Sequence, residues 1–223
     1  MGDWVTLSAA DGHELTAYEA KPAGQPRGGI VVVQEIFGVN GHIRRVADGY
    51  AADGYHVVAP ALFDRVGKDI ELGYSEADIA KGREIRAKVS FEQALADVAA
   101  AQAALKGAGR LGIVGYCWGG TVTWLSACRL PGFAAASSYY GGGIGNFADE
   151  TPRCPVLCHF GEKDHAIPLD EVDKLRKAQG DRVAIHLYPA GHGFNCDERG
   201  SYDAASAKLA RERTLAFFRK HVS

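Results

Sequence analysis

The chain has 223 residues, of which 47% are apolar and 23% charged, with a formal net charge of -2. That size and balance fit one large folded domain spanning residues 1–223 and exclude a disordered chain. With a pI near 6.4 there is no basic excess to neutralise phosphates, so no nucleic-acid partner is expected.

In chain order, residues 4–7 and 14–20 read as two strands joined by an Ala-Asp-Gly-His turn. Residues 29–34 form a β-branched run that suits a strand buried on both faces of a parallel sheet. Asn40 is placed to cap a helix running to about Ala52, and residues 56–60 give the next strand. A long connection over 61–75 leads to Ser75-Glu76-Ala77-Asp78, a capping box that opens a helix. The Ala-rich stretch 91–105 is helical by propensity. Strands are then expected at 111–116, 133–140, 155–160 and 183–188, with helices at 119–130, 168–179 and 203–221. In the closing helix Leu209, Leu215, Phe217 and Phe218 form the expected buried stripe. Strands alternating with helices from residue 30 onward predict an α/β fold, a mostly parallel central sheet with helices on both faces. In such sheets the chemistry sits in loops beyond the carboxyl ends of the strands.

No apolar run approaches the roughly 18 residues needed to span a bilayer, so no membrane partner is expected. The beginning, MGDWVTLS, carries an acid early and lacks a basic-then-apolar pattern, so the chain is expected to start near Met1 and stay in the cytoplasm. Five cysteines, an odd number, fit free thiols in a reducing compartment better than a disulfide framework. Cys154 and Cys158 have no second pair to complete a zinc site, and neither metal nor cofactor is expected.

Gly115-Tyr116-Cys117-Trp118-Gly119 follows an apolar strand and precedes a helix. This is the G-x-S-x-G nucleophile-elbow pattern of α/β-hydrolases with cysteine at its centre. A strand that turns straight into a helix strains its middle residue and crowds the positions two residues away, which glycine relieves. The helix N-terminus favours a thiolate, and the Trp118 amide points toward the oxyanion formed on attack. The competing reading is a buried cysteine in a glycine-rich turn. A thiolate nucleophile needs a base, and the base an orienting acid. In chain order these follow as Asp164, in the loop after the 155–160 strand, and His192, flanked by glycines after the 183–188 strand. His159, by contrast, lies inside a strand and reads as packed. The loop Gln34-Glu35-Ile36-Phe37-Gly38-Val39-Asn40 occupies the position that supplies a second oxyanion donor, for which the Ile36 amide is the candidate. A carboxylate at Glu35 could accept the thiol proton or hold the thiol in an inactive pose, against the plainer reading of a partly exposed residue closing a strand end.

Together, residues 34–40, 115–120, the Asp164 loop and Ala190-Gly191-His192-Gly193-Phe194 resemble the dienelactone hydrolase family, over about residues 5 to 220. The resemblance implies an α/β-hydrolase fold and hydrolysis of an enol-lactone such as 4-carboxymethylenebut-2-en-4-olide. It also implies that Glu35 helps ionise Cys117 when substrate binds. Phe37, Tyr116 and Arg83 are the expected substrate contacts, with Arg86 competing for the place of Arg83. Lactonases of the family hold the substrate carboxylate with two arginines. The second would stand four residues after the histidine, where this chain has Cys196, and Arg199 lies close by in sequence. A weaker demand for a carboxylate, with neutral esters accepted, is therefore expected. The partner is a small-molecule ester or lactone, and the protein a monomer or small homo-oligomer. The alternatives are a broad carboxylesterase or thioesterase, and a non-catalytic ligand-binding protein on the same scaffold.

Overall fold

The computed structural model describes residues 2–223. Strands β1 (Asp3–Ser8) and β2 (Glu14–Ala20) form an antiparallel hairpin, and β2 pairs antiparallel with β4 (His56–Pro60). All remaining pairs are parallel, through β3 (Gly29–Val33), β5 (Leu111–Tyr116), β6 (Phe133–Tyr139), β7 (Val156–Gly161) and β8 (Val183–Tyr188). The order across the sheet is β1-β2-β4-β3-β5-β6-β7-β8. The mostly parallel sheet expected from the alternation is thus present, with an antiparallel hairpin on one edge.

Six helices connect or close the strands: α1 (Gly41–Ala52), α2 (Glu76–Arg86), α3 (Phe91–Ala104), α4 (Trp118–Arg129), α5 (Leu169–Gln179) and α6 (Ala204–His221). Their starts follow the capping chemistry in the sequence. The Asn40 side chain accepts from the Ile43 amide, and Ser75 with Asp78 closes a reciprocal capping box. Ser90 with Gln93 forms a second box at α3. Among the described residues no helix is long and apolar enough to cross a membrane.

Alternation along the central strands sorts the helices onto opposite faces. A side chain at Gly112 would meet Phe218 of α6, whereas one at Gly115 would meet Gly119 and Thr123 of α4. The same parity holds on β6. Ser138 donates to the Gly120 carbonyl of α4 at 3.0 Å, while Ser137 and Tyr139 reach Thr214 of α6 at 3.1 and 2.7 Å. The Thr214 hydroxyl also lies 2.9 Å from His159 Nε2, whose Nδ1 meets the Tyr188 hydroxyl at 2.8 Å. One buried hydroxyl therefore fastens α6 to β6 and β7, and His159 is packed, as its place inside a strand predicted.

Helix α6 corrects one expectation. Leu215 and Phe218 are buried, but Leu209 is 42% exposed and Phe217 only partly covered. Small and hydroxylated residues, Ser206, Ala207, Ala210 and Thr214, take the buried stripe instead. They let the helix lie close to the sheet and hydrogen-bond to it, which larger apolar side chains would prevent.

The Thr214 network carries a stability prediction. Thr214→Val keeps the shape but leaves the hydroxyls and imidazole facing it short of a partner. A buried group so orphaned costs about 1–3 kcal/mol. The urea midpoint is expected to fall accordingly at unchanged m-value, and a variant as stable as wild type would contradict the assignment.

Candidate active site

Strands β3, β5, β6, β7 and β8 are adjacent and parallel, so the loops that follow β3, β5, β7 and β8 share one edge of the sheet. Cys117 is the single residue between β5 and α4, with φ 55° and ψ -122°. Left-handed backbone is rare outside glycine and is held only where surroundings enforce it. Here the Cys117 amide donates to the Tyr139 carbonyl at 3.0 Å, and its carbonyl accepts from Gly120 at 2.9 Å. The flanking glycines are steric necessities. A Cβ on Gly115 would collide with the Gly119 carbonyl, and one on Gly119 would lie 2.5 Å from the Val33 carbonyl oxygen.

His192 Nε2 lies 3.1 Å from Cys117 Sγ, and its Nδ1 lies 2.8 Å from Asp164 Oδ2. The other oxygen of Asp164 accepts from the amides of Ala166 and Ile167 at 2.8 and 3.2 Å, so the carboxylate is anchored by its own loop. Ser201 donates to the His192 carbonyl at 2.6 Å, and the Tyr140 ring stands edge-on to the imidazole at 5.2 Å between centroids. Burial alone would push the His192 pKa down. The hydrogen bonds to Asp164 and Cys117, with their charges, outweigh it and raise the pKa to about 10.

A cavity of about 300 Å³ opens on this trio, lined among others by Ile36, Phe37, Cys117, Trp118 and His192. Arg83, Arg86 and Arg199 also line it. The alternatives Arg83 and Arg86 are thus both present, one helical turn apart on α2. Arg86 also sits over the Phe91 and Trp118 rings, at 5.3 and 6.0 Å from their centroids. Arg199 lies over the Phe37 ring and donates to Glu35 Oε1 at 3.2 Å. Cys196 is buried, but the position it takes does not leave the cavity one arginine short. The basis for expecting a weak carboxylate preference is therefore corrected.

Glu35 is 1% exposed, not a surface residue closing a strand, and its Oε2 has no hydrogen-bond partner among the described residues. Gln34 holds the loop, accepting from the Leu62 amide at 3.0 Å and donating to the Glu35 carbonyl at 3.2 Å. The Ile36 and Trp118 amides, the expected oxyanion donors, have no backbone acceptor among the described residues. Tyr116 is a correction. It has the parity of Gly112, so its buried side chain faces α1 and α6, with its hydroxyl 3.4 Å from that of Tyr50. It borders a different cavity and not the one at Cys117. Sequence reading also passed over Tyr140, a non-glycine residue at φ 37°, and Ser201. Neither lies in a motif: Tyr140 meets the His192 ring only when β6 and β8 flank the same strand, and Ser201 reaches the His192 carbonyl within the segment between β8 and α6.

A cysteine at a tight strand-to-helix turn, with an acid and a histidine in loops after later parallel strands of the same sheet, is the arrangement of an α/β-hydrolase, a class whose members cleave carboxylic esters and related bonds. The dienelactone hydrolase family profile matches residues 15–222. A carboxymethylenebutenolidase of Pseudomonas putida is 31% identical, over 97% of this chain and 96% of its own length. An Escherichia coli K12 protein provisionally given the same name is 36% identical, over 97% of this chain and 86% of its own length. A Klebsiella pneumoniae crystal structure, provisionally described as a dienelactone hydrolase, superposes with TM-score 0.85 at 34% identity, covering 98% of this chain and 100% of that one. The chain belongs to the dienelactone hydrolase family.

Two predictions follow from the thiol–imidazole geometry. Burial raises the pKa of Cys128 and Cys158 to about 12 and of Cys154 and Cys196 to about 11, so these four are almost wholly protonated near neutrality. Cys117 is partly exposed and hydrogen-bonded to an imidazole. Brief substoichiometric iodoacetamide followed by peptide mapping is expected to label Cys117 first. Uniform labelling of all five thiols would refute this.

The second concerns pH. His192 titrates near 6.5 when unfolded and near 10 when folded, so above pH 6.5 the folded chain holds a proton that the unfolded chain releases. Its stabilising contribution is complete below pH 6.5 and is lost as pH climbs through about 10. Urea unfolding is expected to show wild type losing more stability than His192→Gln between pH 7 and pH 10. Parallel losses in the two proteins would contradict the raised value.

Proposed function

We propose that the protein hydrolyses an enol-lactone, or a small ester of the same shape, that carries a carboxylate, with Cys117 as nucleophile. The observation that supports this reading is the Asp164–His192–Cys117 chain of contacts, at 2.8 and 3.1 Å, opening on a cavity lined by three arginines. Carboxymethylenebutenolidase is the name of the Pseudomonas putida relative, and the same chemistry fits here.

In this mechanism Cys117 Sγ attacks the acyl carbon, and the amides of Ile36 and Trp118 donate to the oxyanion. The ring C–O bond breaks, and the enolate leaves with a proton from the His192 imidazolium. A water then gives its proton to His192 and attacks the thioester, and the C–S bond breaks to restore the thiolate. Asp164 holds the imidazole in the tautomer this requires. Glu35 acts beside the thiol as a proton acceptor or charge partner when substrate binds, with Arg199 setting its position. Arg83, with Arg86 next to it, takes the substrate carboxylate, and Phe37 packs against the lactone. The protein works as one domain over residues 1–223, as a monomer or small homo-oligomer and without a cofactor. Its five free thiols fit the cytoplasm.

Cys117→Ala and His192→Ala are each expected to abolish turnover of a dienelactone while leaving far-UV circular dichroism unchanged, because groups that act as a unit fail together. Asp164→Asn should cost roughly 10⁴-fold, by the serine-protease precedent. A charge-assisted hydrogen bond of about 1.5–3 kcal/mol corresponds to roughly 10- to 150-fold in affinity. The free acid should therefore exceed its methyl ester in kcat/KM by at least that factor, and Arg83→Ala should remove much of the difference. Full activity in Cys117→Ala would eliminate the mechanism. Equal kcat/KM for acid and methyl ester would favour a broad carboxylesterase instead.

A further inference from the structure

Behind the site, two side chains seven residues apart meet a third from near the other end of the chain. A carboxylate oxygen of Glu35, an imidazole nitrogen of His42 and the Cys196 thiol lie within 4.8 Å of one another, and all three residues are buried. Two polar atoms of this group, Glu35 Oε2 and His42 Nε2, have no partner among the described residues. Buried polar atoms are nearly always satisfied, so two unsatisfied atoms in one small cluster call for an explanation. We propose that Glu35, His42 and Cys196 form a binding site for a zinc-class divalent cation, and that the cation switches hydrolysis off by taking Glu35.

The donor set is the first argument. One thiolate, one imidazole and one carboxylate suit zinc and its transition-metal neighbours, and disfavour magnesium and calcium, which take oxygen ligands. A thiolate and a carboxylate also oppose a doubly charged ion, although the Glu35 carboxylate is shared with Arg199 at 3.2 Å. Bonds of about 2.0–2.3 Å place tetrahedral donors roughly 3.3–3.8 Å apart. Donors already within 4.8 Å therefore need to close by about 1 Å.

The surroundings supply the second argument. His42 Nδ1 faces Asp197 Oδ1 at 3.1 Å, which places the ring proton there and leaves Nε2 as a bare donor to the metal. A carboxylate behind a ligating histidine is the usual outer support of such sites. His42 and Asp197 also line a cavity of about 390 Å³ between α1 and α6, a route inward that avoids the substrate cavity. Its cations do not bar the way, since Arg45 is paired with Asp197 and Glu198, Arg211 with Asp53 and Lys208 with Glu212. A cysteine ligates a metal as its thiolate, so binding at neutral pH releases a proton from Cys196.

Only the switch rests on the role proposed for Glu35 in activating Cys117. The site itself does not. The experiment titrates Zn²⁺ into the metal-free full-length protein against a chromophoric chelator, then Co²⁺ to read a thiolate-to-cobalt charge-transfer band. The expected result is one ion and one released proton per chain, with binding intact in Cys117→Ser. Cys196→Ala and His42→Gln should each weaken binding by more than about 100-fold, and Asp197→Asn by about 10- to 100-fold. Circular dichroism confirms that each variant is folded. Loss of binding in Cys117→Ser but not in Cys196→Ala would overturn the site, because the ion would then sit on the nucleophile and His192. Failure of folded wild type to bind Zn²⁺ would overturn it equally. Zn²⁺ held through Cys196 while a dienelactone is still hydrolysed at full rate would overturn the switch, and with it the part given to Glu35, and leave the site standing.

Discussion

Strand β5 passes into helix α4 with only Cys117 between them, and the rest of the site is arranged around that junction. No loop is available to absorb the change of direction, so the residue sits at φ 55°. Such backbone costs on the order of 1–3 kcal/mol and survives because its own amide and carbonyl are bonded to Tyr139 and Gly120. The strained residue projects the thiol into the cavity shared with His192, away from both packed faces of the sheet. It also brings α4 so near to β3 and β5 that residues 115 and 119 have no room for a side chain. The first amide of α4 remains free beside the thiol, where the helix dipole is positive.

Two histidines on neighbouring parts of the sheet show how partners, more than burial, decide charge. His159 and His192 are both largely removed from water. The neighbours of His159 are the hydroxyls of Tyr188 and Thr214, so burial dominates and its pKa falls well below the ordinary value. His192 faces a carboxylate on one side and a thiol on the other, and its pKa rises to about 10. The first is a neutral structural pin, and the second holds a proton where a leaving group would need one. The bond lengths are alike, so the chemistry is set by what lies at the far end of each bond.

Much of this was written into local sequence. Strands announce themselves by β-branched runs, helices by Asn40, Ser75 and Asp203 at their caps, and the residues of the candidate site by their places just after strands. What local pattern does not carry is distance across the fold. Side-chain size alone puts Leu209 in the buried stripe of α6, whereas close packing against β6 and β7 selects Ala210 and Thr214. Tyr116 adjoins the nucleophile in sequence, yet strand alternation turns it to the opposite face. Arg199 and Cys196 have meaning only once the loop after β8 folds back over the loop after β3, and no spacing rule foretells that meeting. Glu35 looked half-exposed for the same reason, since what covers it arrives from the other end of the chain.

In the proposed mechanism the chain order of the reacting groups bears on how the molecule is made. The thiol comes at 117, its acid at 164 and its base at 192, and the α6 hydroxyl that fastens the helix over the sheet follows at 214. A polypeptide emerging from its N-terminus thus carries that thiol without its histidine while residues 118–191 are added, about a third of its synthesis. His192 arrives only when β8 has joined as the outermost strand beside β7. On the proposed mechanism a half-made chain, or one clipped ahead of that strand, is chemically mute, so catalytic competence doubles as a report that the last part of the sheet has been assembled.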